Sequence, residues 1–138
     1  MLNFARNIQW PVTSYETFTI GVVGYPPLVA ELKQVFTSTK LGSRKVEIRE
    51  YTNAEEIDKC QMLFVPAFKA RAFESILTKV ENHSTLILTN KPDMARKGAG
   101  VNFVFVEGKL KYEINCTTIE KRGMKIPSNI KGQGILVD

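Results

Sequence analysis

Short apolar runs that alternate with helical stripes constrain this chain most. Residues 18–23, 46–51, 60–67 and 86–89 each have a strand's length and are rich in β-branched, aromatic or other apolar side chains. Between them stand residues 28–37, apolar at 28, 29, 32, 35 and 36, and residues 70–80, with Phe73, Ile76, Leu77 and Val80 on one helical face. Strands joined through helices return to the same end of a sheet, so they pair in parallel through right-handed crossovers. The run at 60–67 is apolar almost without interruption, which marks a central strand covered on both faces. The run at 46–51 alternates and is half exposed.

Near residue 100 the pattern changes. Residues 101–106 and 110–115 alternate around Glu107-Gly108, a β-hairpin signal. The expected fold class is therefore α/β: a three-layer sandwich with a mostly parallel five- or six-stranded sheet and an antiparallel hairpin at one edge. Shorter elements complete it. A helix over residues 1–10 carries Leu2, Ala5 and Ile8 and stops at Trp10-Pro11, because the residue before proline avoids the helical region. Residues 40–44 read as a loop. Asn53 reads as an N-cap, and Gly98 and Gly123 close short helices at 92–97 and 117–122. Residues 124–138 read as a final extended segment with its apolar part at 135–137. The 138 residues form one domain, 1–138, without repeats or low-complexity tracts.

The net charge is +5, and the stretch from residue 91 onward holds nine Lys/Arg against five Asp/Glu. The reading is a mildly cationic surface or a basic patch. Basic residues do not interleave with aromatics, so no nucleic-acid partner is expected. The chain has no apolar run of the ~18 residues that a membrane span needs, and no direct membrane insertion is expected. Asn3, Arg6, Asn7 and Gln9 interrupt the opening segment, so it is not a signal peptide.

Chemistry is thinly represented. Gly21-Val22-Val23-Gly24 lies where nucleotide-binding folds place a phosphate loop, but Tyr25, Pro26 and Pro27 follow. Two prolines remove amide donors that such a loop uses, so no cofactor is expected. His83 is the only histidine and sits in a polar segment, read as a solvated loop residue. With two distant cysteines it does not make a zinc site. Cys60 and Cys116 are either one disulfide or two buried thiols. No catalytic residues are assigned. The chain reads as a binder, not an enzyme, and a binding surface combines apolar anchors with charge. The candidate partner- or ligand-binding residues are Trp10, Tyr25, Pro26, Lys125 and Asn129. For Trp10 the competing reading is packing beside the sheet.

Several stretches in order carry a family resemblance. They are Asn3-Phe4-Ala5-Arg6 running to Trp10-Pro11, the strand Phe18 to Gly24, Cys60 to Val65, the block from Leu88 through Gly98 and Gly100 to Tyr112-Glu113-Ile114-Asn115, and Arg122-Gly123 to Ser128. Together they resemble the YfiR-like domain of Gram-negative bacteria. The resemblance implies a non-enzymatic periplasmic regulator made with a cleaved leader. It also implies a homodimer, and a partner that is an inner-membrane signalling protein, a diguanylate cyclase or a sensor kinase. Members of this kind restrain the cyclase and hold cyclic-di-GMP and biofilm formation low. The family's closing segment carries an arginine and a histidine two positions apart, linked to ligand or partner contact. Lys125 and Pro127 stand at those positions here, and Lys lacks the bidentate fork of Arg. The alternative function is a periplasmic small-ligand sensor without a fixed protein partner, using the crevice beside Gly24-Tyr25-Pro26 at the C-terminal strand ends.

Overall fold

The computed structural model describes residues 2–11, 17–37 and 44–137. The strands are β1 (Thr17–Val23), β2 (Lys45–Tyr51), β3 (Met62–Val65), β4 (Leu86–Thr89), β5 (Val101–Val106), β6 (Lys109–Ile114) and β7 (Ile135–Leu136). The helices are α1 (Leu2–Asn7), α2 (Pro26–Thr37), α3 (Phe73–Val80), α4 (Met94–Lys97), α5 (Cys116–Lys121) and α6 (Ser128–Gln133). The loop expected at 40–44 lies, apart from Arg44, outside the described residues.

Among the described residues the sheet has seven strands in the order β2-β1-β3-β4-β5-β6-β7. This is one more than the upper expectation. The extra strand is β7, which runs parallel to β6 and pairs Ile135 with Glu113 and Leu136 with Ile114. The hairpin therefore lies next to the edge, and β7 is the edge. β1 through β5 are parallel, while β5 and β6 pair antiparallel over six positions, with Phe103 opposite Tyr112 and Phe105 opposite Leu110.

Side-chain alternation sorts the strands into two cores. Phe18, Ile20, Val22, Met62, Phe64, Leu86 and Leu88 face one way and meet Phe4 and Ile8 of the N-terminal segment, Leu32 of α2, Ile119 of α5 and Ile130 of α6. Val23, Leu63, Val65 and Ile87 face the other way, onto Ile57, Phe73, Ile76, Val80 and Met94. With both faces covered, β1, β3 and β4 need no polar side, which explains their nearly continuous apolar sequence.

Local signals act as their chemistry dictates. Asn53 Oδ1 accepts the Glu56 N–H at 3.2 Å and caps a 3₁₀ turn at Ala54–Glu56. The segment Ala67–Ala72 is also 3₁₀, so α3 starts later than the periodicity of residues 70–80 suggests. α6 replaces part of the extended segment expected over 124–138.

The hairpin turn puts two residues at positive φ, Glu107 at 52° and Gly108 at 78°, as a primed turn demands. Glutamate is strained there, whereas asparagine tolerates it. Glu107→Asn is expected to raise stability by about 0.5 kcal/mol. Urea unfolding checks this as a rise in midpoint at constant slope.

Candidate functional site

The parallel order places a topological switch between β1 and β3, and crevices at the C-terminal strand ends form at such points. Gly24 leaves β1 there with φ 58°, and its N–H donates to Tyr51 O at 2.8 Å. A Cβ on Gly24 would stand 2.5 Å from Lys69 Cε, so glycine lets the lysine side chain lie across the turn. Tyr25 and Pro26 follow, Pro26 as the exposed first residue of α2. Tyr25 packs edge-on against Phe68 with ring centroids 5.6 Å apart, and Phe68 itself is 64% exposed. The result is a surface cluster of Tyr25, Pro26, Phe68 and Lys69. Sequence reasoning found the first two and missed the others. Phe68 follows β3 in a segment that carries no motif, and only the adjacency of β1 and β3 brings it to Tyr25.

Trp10 lies at the other end of the sheet, about 20 Å away along a seven-residue strand. It is half-buried rather than fully in the core. Its ring meets Phe18 edge-on at 5.0 Å, and Nε1 donates to Gln61 O at 3.1 Å. It walls a cleft of about 500 Å³ whose lining includes Thr19, Lys59, Gln61, His83 and Ser84. His83 is not the solvated loop residue expected. It is half-buried, its turn closes through His83 N–H to Val80 O at 2.8 Å, and its Nδ1 is buried without a hydrogen-bond partner.

The closing segment joins this same end. Gln9 and Lys125 exchange backbone hydrogen bonds of 2.9 and 2.8 Å, so Lys125, exposed, sits beside Trp10 in space. A Cβ on Gly123 would meet Pro11 Cγ at 3.2 Å. Asn129 lies exposed in the first turn of α6. The five candidate residues therefore divide between two ends: Tyr25 with Pro26, and Trp10 with Lys125, while Asn129 rides on α6.

Cys60 and Cys116 are free thiols, which corrects the possible disulfide. Cys60 packs in the core on one face of the sheet and Cys116 against the core on the other, so the sheet itself separates them. Burial pushes the Cys60 thiol up to about 12 from 9.0. A thiol held protonated is a poor nucleophile. Iodoacetamide should therefore label Cys60 in the native chain far more slowly than in urea. Below pH 9 the thiol is neutral in both folded and unfolded states and costs nothing. Between pH 9 and 12 the unfolded chain ionises it and the folded chain does not, so stability falls as pH rises through that window.

Among the described residues no group of three or more His, Cys, Asp or Glu is placed to hold a metal ion. No helix among them is long and apolar enough to cross a membrane.

The described residues define a doubly wound α/β domain with an aromatic cluster at its switch point and a cleft at the opposite end of the sheet. A family model, YfiR/HmsC-like, matches residues 1–130, and the chain belongs to that family. The family is regulatory rather than catalytic, and periplasmic. No curated protein matches the chain in sequence. Among solved structures it resembles the ABC domain of Streptococcus pneumoniae in complex with L-Trp, with a TM-score of 0.62, 15% identity, and coverage of 87% of this chain and 55% of that one. It also resembles a conserved domain protein of Vibrio cholerae, with a TM-score of 0.61, 16% identity, and coverage of 87% and 54%. The chain thus spans about half the length of each, and at such identity the likeness is one of fold.

Proposed function

We propose that this chain is a non-enzymatic periplasmic regulatory domain. It binds the periplasmic portion of an inner-membrane diguanylate cyclase and holds it inactive, keeping cyclic-di-GMP and biofilm formation low. The observation that carries this reading is the surface cluster of half-buried Tyr25 and Lys69 with exposed Pro26 and Phe68, set at the switch point of a chain from a regulatory family. Exposed aromatics with a cation at the rim are the usual anchors of a protein contact. Lys125 and Asn129 form a second, polar contact region near the closing segment. The test is calorimetric titration of the chain with the periplasmic segments of the diguanylate cyclases of the same organism. Saturable binding to one of them supports the reading, and binding to none contradicts it.

The homodimer fits the hairpin. Phe105 is 77% exposed and faces Leu110, 62% exposed, across the strands, with Glu107 at the tip and Lys109 and Lys111 beside it. In a two-fold contact of two hairpins, Glu107 of each copy would meet the lysines of the other. Phe105→Ser with Leu110→Ser is expected to turn a dimer into a monomer in sedimentation equilibrium, with the melting temperature little changed.

The cleft beside Trp10 favours a second role as a small-ligand sensor, and this role is compatible with the first. It moves the ligand site from the crevice beside Tyr25 to the opposite end of the sheet.

A further inference from the structure

We infer that the cleft beside Trp10 takes a small organic anion with a flat apolar body. The inference rests on the sensor reading and names the ligand class of that site. About 500 Å³ is enough for such a molecule, since ligand sites run from roughly 300 to 1,000 Å³.

The wall is already fixed. The indole N–H of Trp10 is committed to Gln61 O, and the ring is held edge-on by Phe18. The Gln61 side chain accepts the Thr19 N–H at 2.6 Å, and the Ser84 hydroxyl donates to Arg122 O at 2.7 Å. The indole N–H and the Ser84 proton are thereby committed, while the Gln61 side chain engages only its oxygen and keeps its amide N–H donors. A preset aromatic wall favours a flat apolar partner at low entropic cost.

The one formal charge among the described lining residues is the Lys59 ammonium. No carboxylate lines the cleft among the described residues. The Lys59 ammonium forms no ion pair there, and the Asn82 amide has no hydrogen-bond partner among those residues either. Among the described lining residues a cationic ligand would find no counter-charge. A carboxylate would find an ammonium and an amide donor beside an apolar wall.

Trp10 is the only tryptophan, so its emission reports the cleft directly. The full chain is titrated with benzoate and, separately, with the neutral isostere benzamide. Trp10 emission and melting temperature are followed together. Saturable benzoate binding is expected by both readouts, at least about fivefold tighter than benzamide, and weakened about three- to tenfold by Lys59→Gln. Lys59 is exposed, so that variant keeps the fold. Equal binding of benzoate and benzamide, or an unchanged benzoate affinity in Lys59→Gln, overturns the anion assignment while leaving the cleft a ligand site. Absence of saturation with either compound in either readout overturns the sensor reading as well.

Discussion

Asn102→Ala is expected to lower stability by about 2–4 kcal/mol, seen as a large fall in the urea midpoint at constant slope. The reason lies at the join between the parallel strands and the hairpin. β4 and β5 pair at only two positions, Leu88 with Val101 and Thr89 with Asn102. Side chains reinforce this thin ladder. Asn102 is fully buried, and its Oδ1 accepts the Thr89 hydroxyl at 2.7 Å and the Lys91 N–H at 3.1 Å. Its Nδ2 donates to Glu113 Oε1 on β6 at 3.0 Å. One amide thus ties β4, β5, β6 and the turn after β4. Alanine removes it and strands the Thr89 hydroxyl, itself 1% exposed, without an acceptor. Buried polar groups left unpaired cost more than the bonds they made. Thr37→Ala, on an exposed hydroxyl that donates to Lys33 O, serves as the control and should change stability by less than about 0.5 kcal/mol.

The double change Tyr25→Ser, Phe68→Ser is expected to weaken binding to the proposed cyclase partner by about 100-fold or more, with the fold retained. Aromatic anchors at the centre of a contact typically carry about 2 kcal/mol or more each, while rim charges carry little. Phe68 is 64% exposed and Tyr25 half-buried, so neither holds a core together. Lys69→Ala, at the rim, should slow association more than it speeds dissociation. Calorimetry and stopped-flow mixing with the same periplasmic segment separate the two effects. A double variant that binds like the parent chain would move the contact away from the switch point.

Much of this architecture is legible in the sequence. The strands at β1, β3 and β4 are readable because both faces of the sheet are covered, which leaves runs of apolar residues without a polar register. The hairpin is readable from Glu107-Gly108 and its flanking alternation. α6 is not, because Ser128–Gln133 is short, holds Gly132 and buries only Ile130. Its helical form comes from packing, with the Tyr112 hydroxyl donating to Ile130 O at 3.1 Å. β7 has two residues, too few for a periodic signal, and its pairing with β6 is a matter of tertiary placement. The site is legible only in pieces. Trp10, Tyr25 and Pro26 stand out by residue type. Phe68, Lys69 and the cleft around His83 depend on which strands become neighbours. The state of the two cysteines depends on the faces they reach, which residue spacing does not encode.

The most direct measurement is the cyclic-di-GMP content of the source bacterium with this gene deleted and then restored. The level should rise on deletion, return to normal with the parent gene, and stay high with Tyr25→Ser, Phe68→Ser. An unchanged level on deletion would contradict the account of this chain as a restraint on a cyclase.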